Sequence, residues 1–261
     1  MSSGERVVAS ASDLAGELTL VGRIMPASNA TFLAEVDGVR VVYKPTAGER
    51  PLWDFPDGTL AQREVAAYVV SEALGWDVVP LTFLREGPHG PGMVQVWQDP
   101  DPDLAPVDLV PEGVVSEGYL HVLDAFDADD RPVSLVHEDT PALRRMAVFD
   151  IVVNNADRKG GHVLAMSGGH RYGVDHGVTF HTENKLRTVL WGWLGEPLLD
   201  DERAALEALR SDLRESLGER LATLLDDDEI DAVDRRCARL LRAGRLPAPS
   251  GSWPSIPWPA F

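Results

Sequence analysis

The sequence predicts an α+β chain of two lobes, a small antiparallel-sheet N-lobe and a mainly helical C-lobe. Three observations predict it. The first hundred or so residues alternate β-patterned runs with turn residues, around a single helical pattern. A Pro- and Asp-rich stretch, 99–112, then divides the chain. Beyond it, apolar residues recur mostly at helical spacing. The expected units are residues 1–98 as N-lobe, 99–112 as hinge or linker, and 113–261 as C-lobe.

Taken in order, residues 18–24, 31–36 and 39–43 read as three strands. Asp37-Gly38 joins the last two, because both positions of a tight hairpin turn favour residues that tolerate positive φ. A Pro- and Gly-containing loop follows over 45–58. Thr59 then offers an N-cap with Gln62 at capping-box spacing, Val65, Tyr68, Val69 and Ala73 supply an apolar stripe, and Gly75 supplies a stop. Residues 76–84 and 92–97 read as strands around a Gly/Pro turn. In the second half, Thr140-Pro141 starts a helix that carries Leu143, Met146, Ala147, Asp150 and Ile151. A polar loop over 154–161 ends it. Residues 163–166 and 170–174 form a hairpin, and helices over 200–217 and 226–243 close the lobe.

Composition excludes several classes. The formal net charge is -18, with 42 acidic residues against 24 basic ones. Such a surface repels phosphate backbones and anionic lipid, so no nucleic-acid partner and no stable membrane insertion are expected. A single cysteine, Cys237, rules out an internal disulfide and a cysteine-based zinc site. No apolar run reaches membrane-spanning length and no leader pattern opens the chain, so the expected compartment is the cytoplasm. Hydrophobic residues at 44% suffice for a packed core.

The candidate chemistry lies in an ordered series of polar residues at element edges. Phosphoryl transfer needs a loop over the phosphates, a lysine upon them, metal ions and a carboxylate beside the attacking hydroxyl. Ser28, Asn29, Ala30 and Thr31 form a turn of small residues whose backbone can approach phosphate. Lys44 ends the third strand, and it is one of only three lysines, with Lys159 and Lys185. Glu64, in the first turns of the helix, is placed to pair with it. The segment Asn154-Asn155-Ala156-Asp157-Arg158-Lys159-Gly160-Gly161-His162 sets polar groups between two buried elements, a way to present side chains at a cleft floor. There Asp157 is the candidate for orienting or deprotonating a hydroxyl, Arg158 for holding the loop or neutralising phosphate, and His162 for ligating metal. Asp175, followed by His176 and Gly177 after a short apolar strand, suits a metal-binding carboxylate.

On these residues the chain resembles the phosphatidylinositol 3- and 4-kinase-like fold and, more loosely, the HipA-like kinases. Within that group it is similar to small actinobacterial proteins of the phosphatidylinositol-kinase family. Asp157-Arg158 followed by His162 keeps the spacing of that family's catalytic loop, and Asp175-His176-Gly177 matches its metal motif. The resemblance spans about residues 18–180. It implies a bilobal protein-kinase-like fold, ATP as cofactor and Mg²⁺ or Mn²⁺ as metal. It makes Asp157, Arg158 and Lys44 catalytic and gives the metal to His162 and Asp175. It assigns nucleotide contacts to residues 28–31, to Lys44 and Glu64, and to an adenine-binding hinge at Gln95, Val96 and Trp97. His162 stands where the family has Asn, which favours Mn²⁺ over Mg²⁺. After Gly177 only Lys185 and Arg187 are basic, too little for an anionic membrane, so a protein or small-molecule hydroxyl is the expected acceptor rather than a lipid.

Three other readings are open at this stage. One is a catalytically weak or inactive nucleotide-binding pseudokinase module, which His162 favours. Another is a hydrolytic metal site built from His162, His170, His176 and His181 around Asp175. The third is a docking role for the Trp- and Pro-rich tail over 253–261, although apolar residues there are expected to fold back on their own lobe.

Overall fold

A computed structural model of the chain describes residues 10–25, 29–50, Leu52, Phe55, 59–251 and 254–261. It is an α+β fold of two lobes. In the N-lobe, β1 (Thr19–Arg23), β2 (Phe32–Val36), β3 (Val39–Pro45), β4 (Thr82–Gly87) and β5 (Gly90–Val96) form one antiparallel sheet in the order β1-β2-β3-β5-β4. Asp37 and Gly38 turn β2 into β3 with φ of 51° and 81°, as the Asp-Gly pair predicted. Strand alternation sends Ala34, Val36, Val41 and Tyr43 to one face, where Leu14, Leu18 and Val94 complete a small core. The period of two puts Lys44 on the opposite face, against helix α1 (Leu60–Leu74).

Helix α1 departs from the expected single stripe. Leu60, Ala61, Val65, Ala66, Ala67, Val69, Val70 and Leu74 are all buried, together with Arg63, Glu64 and Ser71. A helix that is apolar nearly all round is buried all round, and α1 belongs to the same core as the C-lobe helices. Its start is also made differently. Glu49, from the preceding loop, accepts the N–H groups of Leu60 and Ala61 at 3.1 and 2.8 Å. Thr59 makes no capping hydrogen bond, and its hydroxyl accepts from Arg63 instead. Gly75 ends the helix at φ 66°, as predicted.

Two strand readings need correction. Residues 76–81 are not strand: Asp77 takes φ 51°, and Ser71 Oγ accepts the N–H groups of Val78 and Val79. The extended run therefore begins only at Thr82. The second correction concerns the divider. Val107–Pro111 within it is a strand, β6, and it joins β7 (Tyr119–Phe126) and β8 (Pro132–Glu138) in a three-stranded sheet ordered β6-β8-β7. Asp108 and Pro111 sit on this edge strand, where a missing donor and a charge are tolerated, while the other prolines and aspartates of the stretch precede it. Leu135 and Val107 face the main core.

The rest of the C-lobe comprises α2 (Pro141–Val153), a hairpin of β9 (Val163–Ala165) and β10 (Arg171–Gly173), and α3 (Asp200–Asp212), α4 (Ser216–Leu221) and α5 (Asp227–Ala243). Thr140 Oγ1 caps α2 through the Leu143 N–H, with Pro141 in the first turn. The single helix expected over 200–217 is broken, because the chain leaves helical geometry at Glu215. Glu138 and Arg171 pair through two hydrogen bonds of 2.6 and 2.8 Å and join β8 to β10. Among the described residues no helix is long and apolar enough to cross a membrane.

Candidate active site

A cavity of about 600 Å³ lies between the lobes. Lys44, Glu64, Asp157 and Asp175 all line it, with Asn29, Ala30, Arg50 and Arg187. Lys44 reaches it from β3, and its Nζ lies 2.7 Å from Glu64 Oε1 and 2.8 Å from Asp175 Oδ1. Burial works against the lysine's charge, yet the Asp175 and Glu64 carboxylates outweigh it and raise its pKa above the ordinary value. The nearby Lys44 charge holds Asp175 well below the usual carboxylate range. Burial pushes Glu64 up, opposed by Lys44. The other oxygen of Glu64 accepts the His176 backbone N–H at 2.8 Å. One carboxylate on α1 thus fixes both the lysine and the backbone that carries Asp175.

Asp175 takes φ 62°, a conformation that short polar side chains tolerate best, with its side chain half exposed in the cavity. His162 stands beside it, Nε2 at 3.5 Å from Asp175 Oδ2. Its Nδ1 lies 3.0 Å from the Asp157 carbonyl oxygen, which can only accept, so Nδ1 carries the proton. Burial lowers the His162 pKa despite Asp175, which keeps the ring neutral at pH 7. A bare imidazole nitrogen then faces a carboxylate oxygen. Two acceptors so placed suit a shared cation, and a histidine oriented by a backbone carbonyl is the usual form of a metal ligand. The donor set therefore fits a divalent ion with positions left open to further oxygen ligands.

Asp157 lies at the cavity wall, its carboxylate part-exposed and 3.3 Å from Lys159 Nζ. Asn155 Oδ1 accepts its backbone N–H and holds the loop's turn. Arg158 does not reach the cavity. It is fully buried and pairs with fully buried Asp150 of α2 at 2.9 Å. Its other donors reach the carbonyls of His162 and Val174 and the ring of His176. Burial, then the Arg158 charge, drives the His176 pKa well down, so that ring is neutral and accepts at Nε2. Of the two roles considered for Arg158, the structure selects bracing the loop; contact with phosphate is ruled out by burial.

Several expected contacts fall elsewhere. Gln95 is buried, and its amide donates to Thr82 Oγ1 across β4 and β5. Trp97 donates to Asp99 and lies under Arg40, which also pairs with Asp99. Neither these two nor Val96 lines the cavity, so the expected adenine-binding hinge is not part of it. Strand β5 pairs with β3 on one side and with β4 on the other, and Val96 opens instead on a separate cavity beside Leu81 and Gln98. In the phosphate turn, Asn29 and Ala30 face the cavity, Thr31 is buried behind them, and Ser28 lies outside the described residues. The histidine-cluster reading fails on geometry. His170 faces Asp77 and His176 faces Arg158, and among the described residues no group of three His, Cys, Asp or Glu is placed to hold a metal.

Sequence reasoning missed Asp150, Glu49, Arg50 and Arg187 as parts of the site. Asp150 gave a signal, a carboxylate on an apolar helix stripe eight residues before an arginine. Arg187, placed by its N–H bond to the Asn155 carbonyl, gave none. Beyond the cavity, the described part of the tail folds back on its own lobe. The Gly160 N–H donates to the Ala260 carbonyl, and the Thr188 N–H and Trp191 Nε1 donate to the Ser255 carbonyl.

The fold and cleft define a bilobal α+β protein with a lysine–carboxylate centre between its lobes. The chain belongs to the family of protein Rv2133c of Mycobacterium tuberculosis, with which it is 52% identical over 94% of its length and 93% of the relative's. No protein-family model matches the chain. Among solved structures, the crystal structure of a Helicobacter pylori proinflammatory kinase, CtkA, aligns with 86% of this chain and 97% of its own, at 15% identity and a TM-score of 0.42.

Proposed function

We propose that the protein is an ATP-dependent phosphotransferase that moves the γ-phosphate to a hydroxyl of a protein or small-molecule acceptor. One observation carries the reading. Lys44 on β3 is paired to Glu64 of the following helix, and the same lysine touches Asp175, in a cavity that also holds Asp157. A strand lysine paired to a helix glutamate beside a metal-binding aspartate is the arrangement that kinase chemistry requires. The resemblance in the Asp157-Arg158 and Asp175-His176-Gly177 motifs supports the same reading.

In this mechanism Lys44 binds the α- or β-phosphate, with its direction set by Glu64. Asp175 and His162 would hold a divalent ion, which would supply charge neutralisation at the phosphate oxygens. Asp157 orients the acceptor hydroxyl and takes its proton. Arg158, held by Asp150, keeps the Asp157 and His162 backbones in register. The acceleration comes from positioning and electrostatics, with no covalent enzyme intermediate.

A second reading, nucleotide binding without turnover, is favoured by His162 at the place of the family's asparagine. The two separate in one experiment. ATP with Mg²⁺ or Mn²⁺ should raise the melting temperature of the intact protein, and Asp175→Ala should lose that rise. ATP consumption that disappears in Asp157→Ala supports transfer. A rise without consumption across acceptors and both metals supports the second reading. No rise with either metal rejects both.

A further inference from the structure

A second cavity, of about 370 Å³, lies between the segment that follows Gly177 and α5. It is lined by Thr182 and Asn184 and by four arginines of α5: Arg235, Arg236, Arg239 and Arg242. The spacing along α5 places Arg235, Arg239 and Arg242 on one ridge, where like charges repel. They are exposed. In a chain with 42 acidic residues, such a group should have carboxylate partners. Among the described residues no carboxylate pairs with these arginines, and several nearby acids are committed elsewhere. Glu229 pairs with Arg63, Asp234 with Arg210 and Arg214, and Glu183 with Lys185.

Arg236 sets the cavity apart from a solvated basic face. It is only 5% exposed. Its Nε donates to the Val152 carbonyl and its Nη1 to the His181 carbonyl. Its Nη2 is sealed from water and has no hydrogen-bond partner. Burial, with Arg239 and Arg235 adding to it, lowers its pKa to about 10. A buried donor left unmatched among like charges calls for an anion.

We propose that this cavity binds a phosphate dianion, either the free ion or the head of a phosphate monoester. Guanidinium groups match phosphate oxygens in pairs, and the Thr182 hydroxyl and Asn184 amide supply neutral donors at the rim. The site is separate from the Lys44 cavity and stands whether or not the protein transfers phosphate. It adjoins the loop that carries Asp157, since His181 and Glu183 also offer their carbonyls to the side chain of Asn154, the first residue of that loop.

The test uses the full chain without nucleotide. Inorganic phosphate, and separately O-phosphothreonine, are titrated against sodium chloride of equal ionic strength while melting is followed. At several times the dissociation constant, either probe should raise the melting temperature by about 2–4 °C over chloride. Arg239→Gln/Arg242→Gln should lose at least half of that rise, and so should Arg235→Gln, while each folds to the same far-UV spectrum. A rise with phosphothreonine much larger than with phosphate identifies an esterified ligand, and equal rises identify the free ion. No rise over chloride, or a rise unchanged in both variants, overturns the proposal.

Discussion

At the scale of single residues, the site depends on buried charges that hold one another in place. Lys44→Met would leave Glu64, 2% exposed, without its cation. Removing one partner of a buried pair costs on the order of 3 kcal/mol, so urea denaturation should show a loss of that size. The nucleotide-dependent thermal shift should vanish with it. Asp150→Asn should cost as much or more, because Arg158 and Asp150 are both fully buried. Asp157→Asn should behave oppositely. Its carboxylate is part-exposed and its ion pair with Lys159 is open to solvent, so stability should stay within about 0.5 kcal/mol of wild type while transfer is lost. Equal destabilisation by the two substitutions would contradict the division between bracing and chemistry.

Lys44, Asp157, His162 and Asp175 were legible in the sequence because each stands next to a turn or a strand end, and Glu64 because it lies early in the helix that follows Lys44. The structure brings all five together. Gln95, Val96 and Trp97 were assigned by position in the family pattern alone, and none of the three lines the cavity. Arg158 was found, but its depth was not, because burial depends on what packs over the loop.

At the scale of elements, local rules worked where the partner is local. The Asp37-Gly38 turn, the Thr140 cap and the Gly75 stop need only neighbouring residues. They failed where the partner is distant. Thr59 has the right chemistry to cap α1, yet Glu49 takes the role from ten or more residues away and serves two N–H groups at once. Glu49→Ala should therefore cost about 1 kcal/mol of stability, the ordinary worth of a cap. The same comparison on thermal melts should show no such loss for Asp200→Ala, whose side chain caps nothing. Strand β6 was hidden for a related reason. An edge strand is recognised by what it pairs with, and its own Pro and Asp content argues for a loop.

At the scale of the molecule, α1 joins the lobes. Its apolar residues share one core with α2 and α3, and Arg63 donates to the Thr179 carbonyl and pairs with Glu229 of α5 at 2.5 Å. Unfolding reports on the whole chain accordingly, and its pH dependence follows from groups buried neutral. His137 is fully buried, donating from Nδ1 to the Glu138 carbonyl and accepting the Gly192 N–H at Nε2. Burial lowers its pKa below the ordinary 6.5. Between that lowered value and about 6.5 the unfolded chain binds a proton that the folded chain refuses, so stability falls as pH drops below about 6.5. The slope attributable to one such histidine reaches about 1.4 kcal/mol per pH unit. Denaturation at pH 7.5, 6.5 and 5.5 should show that fall, and His137→Gln should flatten it. An unchanged slope in the variant would assign the acid sensitivity to other groups.

The sequence by itself determined the α+β class, the order of most elements and the four polar residues that line the cleft, with His162 beside them. Each of these is written in local periodicity, turn chemistry or the placement of charge at an element's edge. Only the tertiary structure decided that α1 is buried on nearly all sides, that β6–β8 form a sheet, that Arg158 braces rather than touches the cavity, and that four arginines of α5 surround a second pocket. Those outcomes depend on which surfaces exclude water from which, and burial is a property of contacts between segments far apart along the chain.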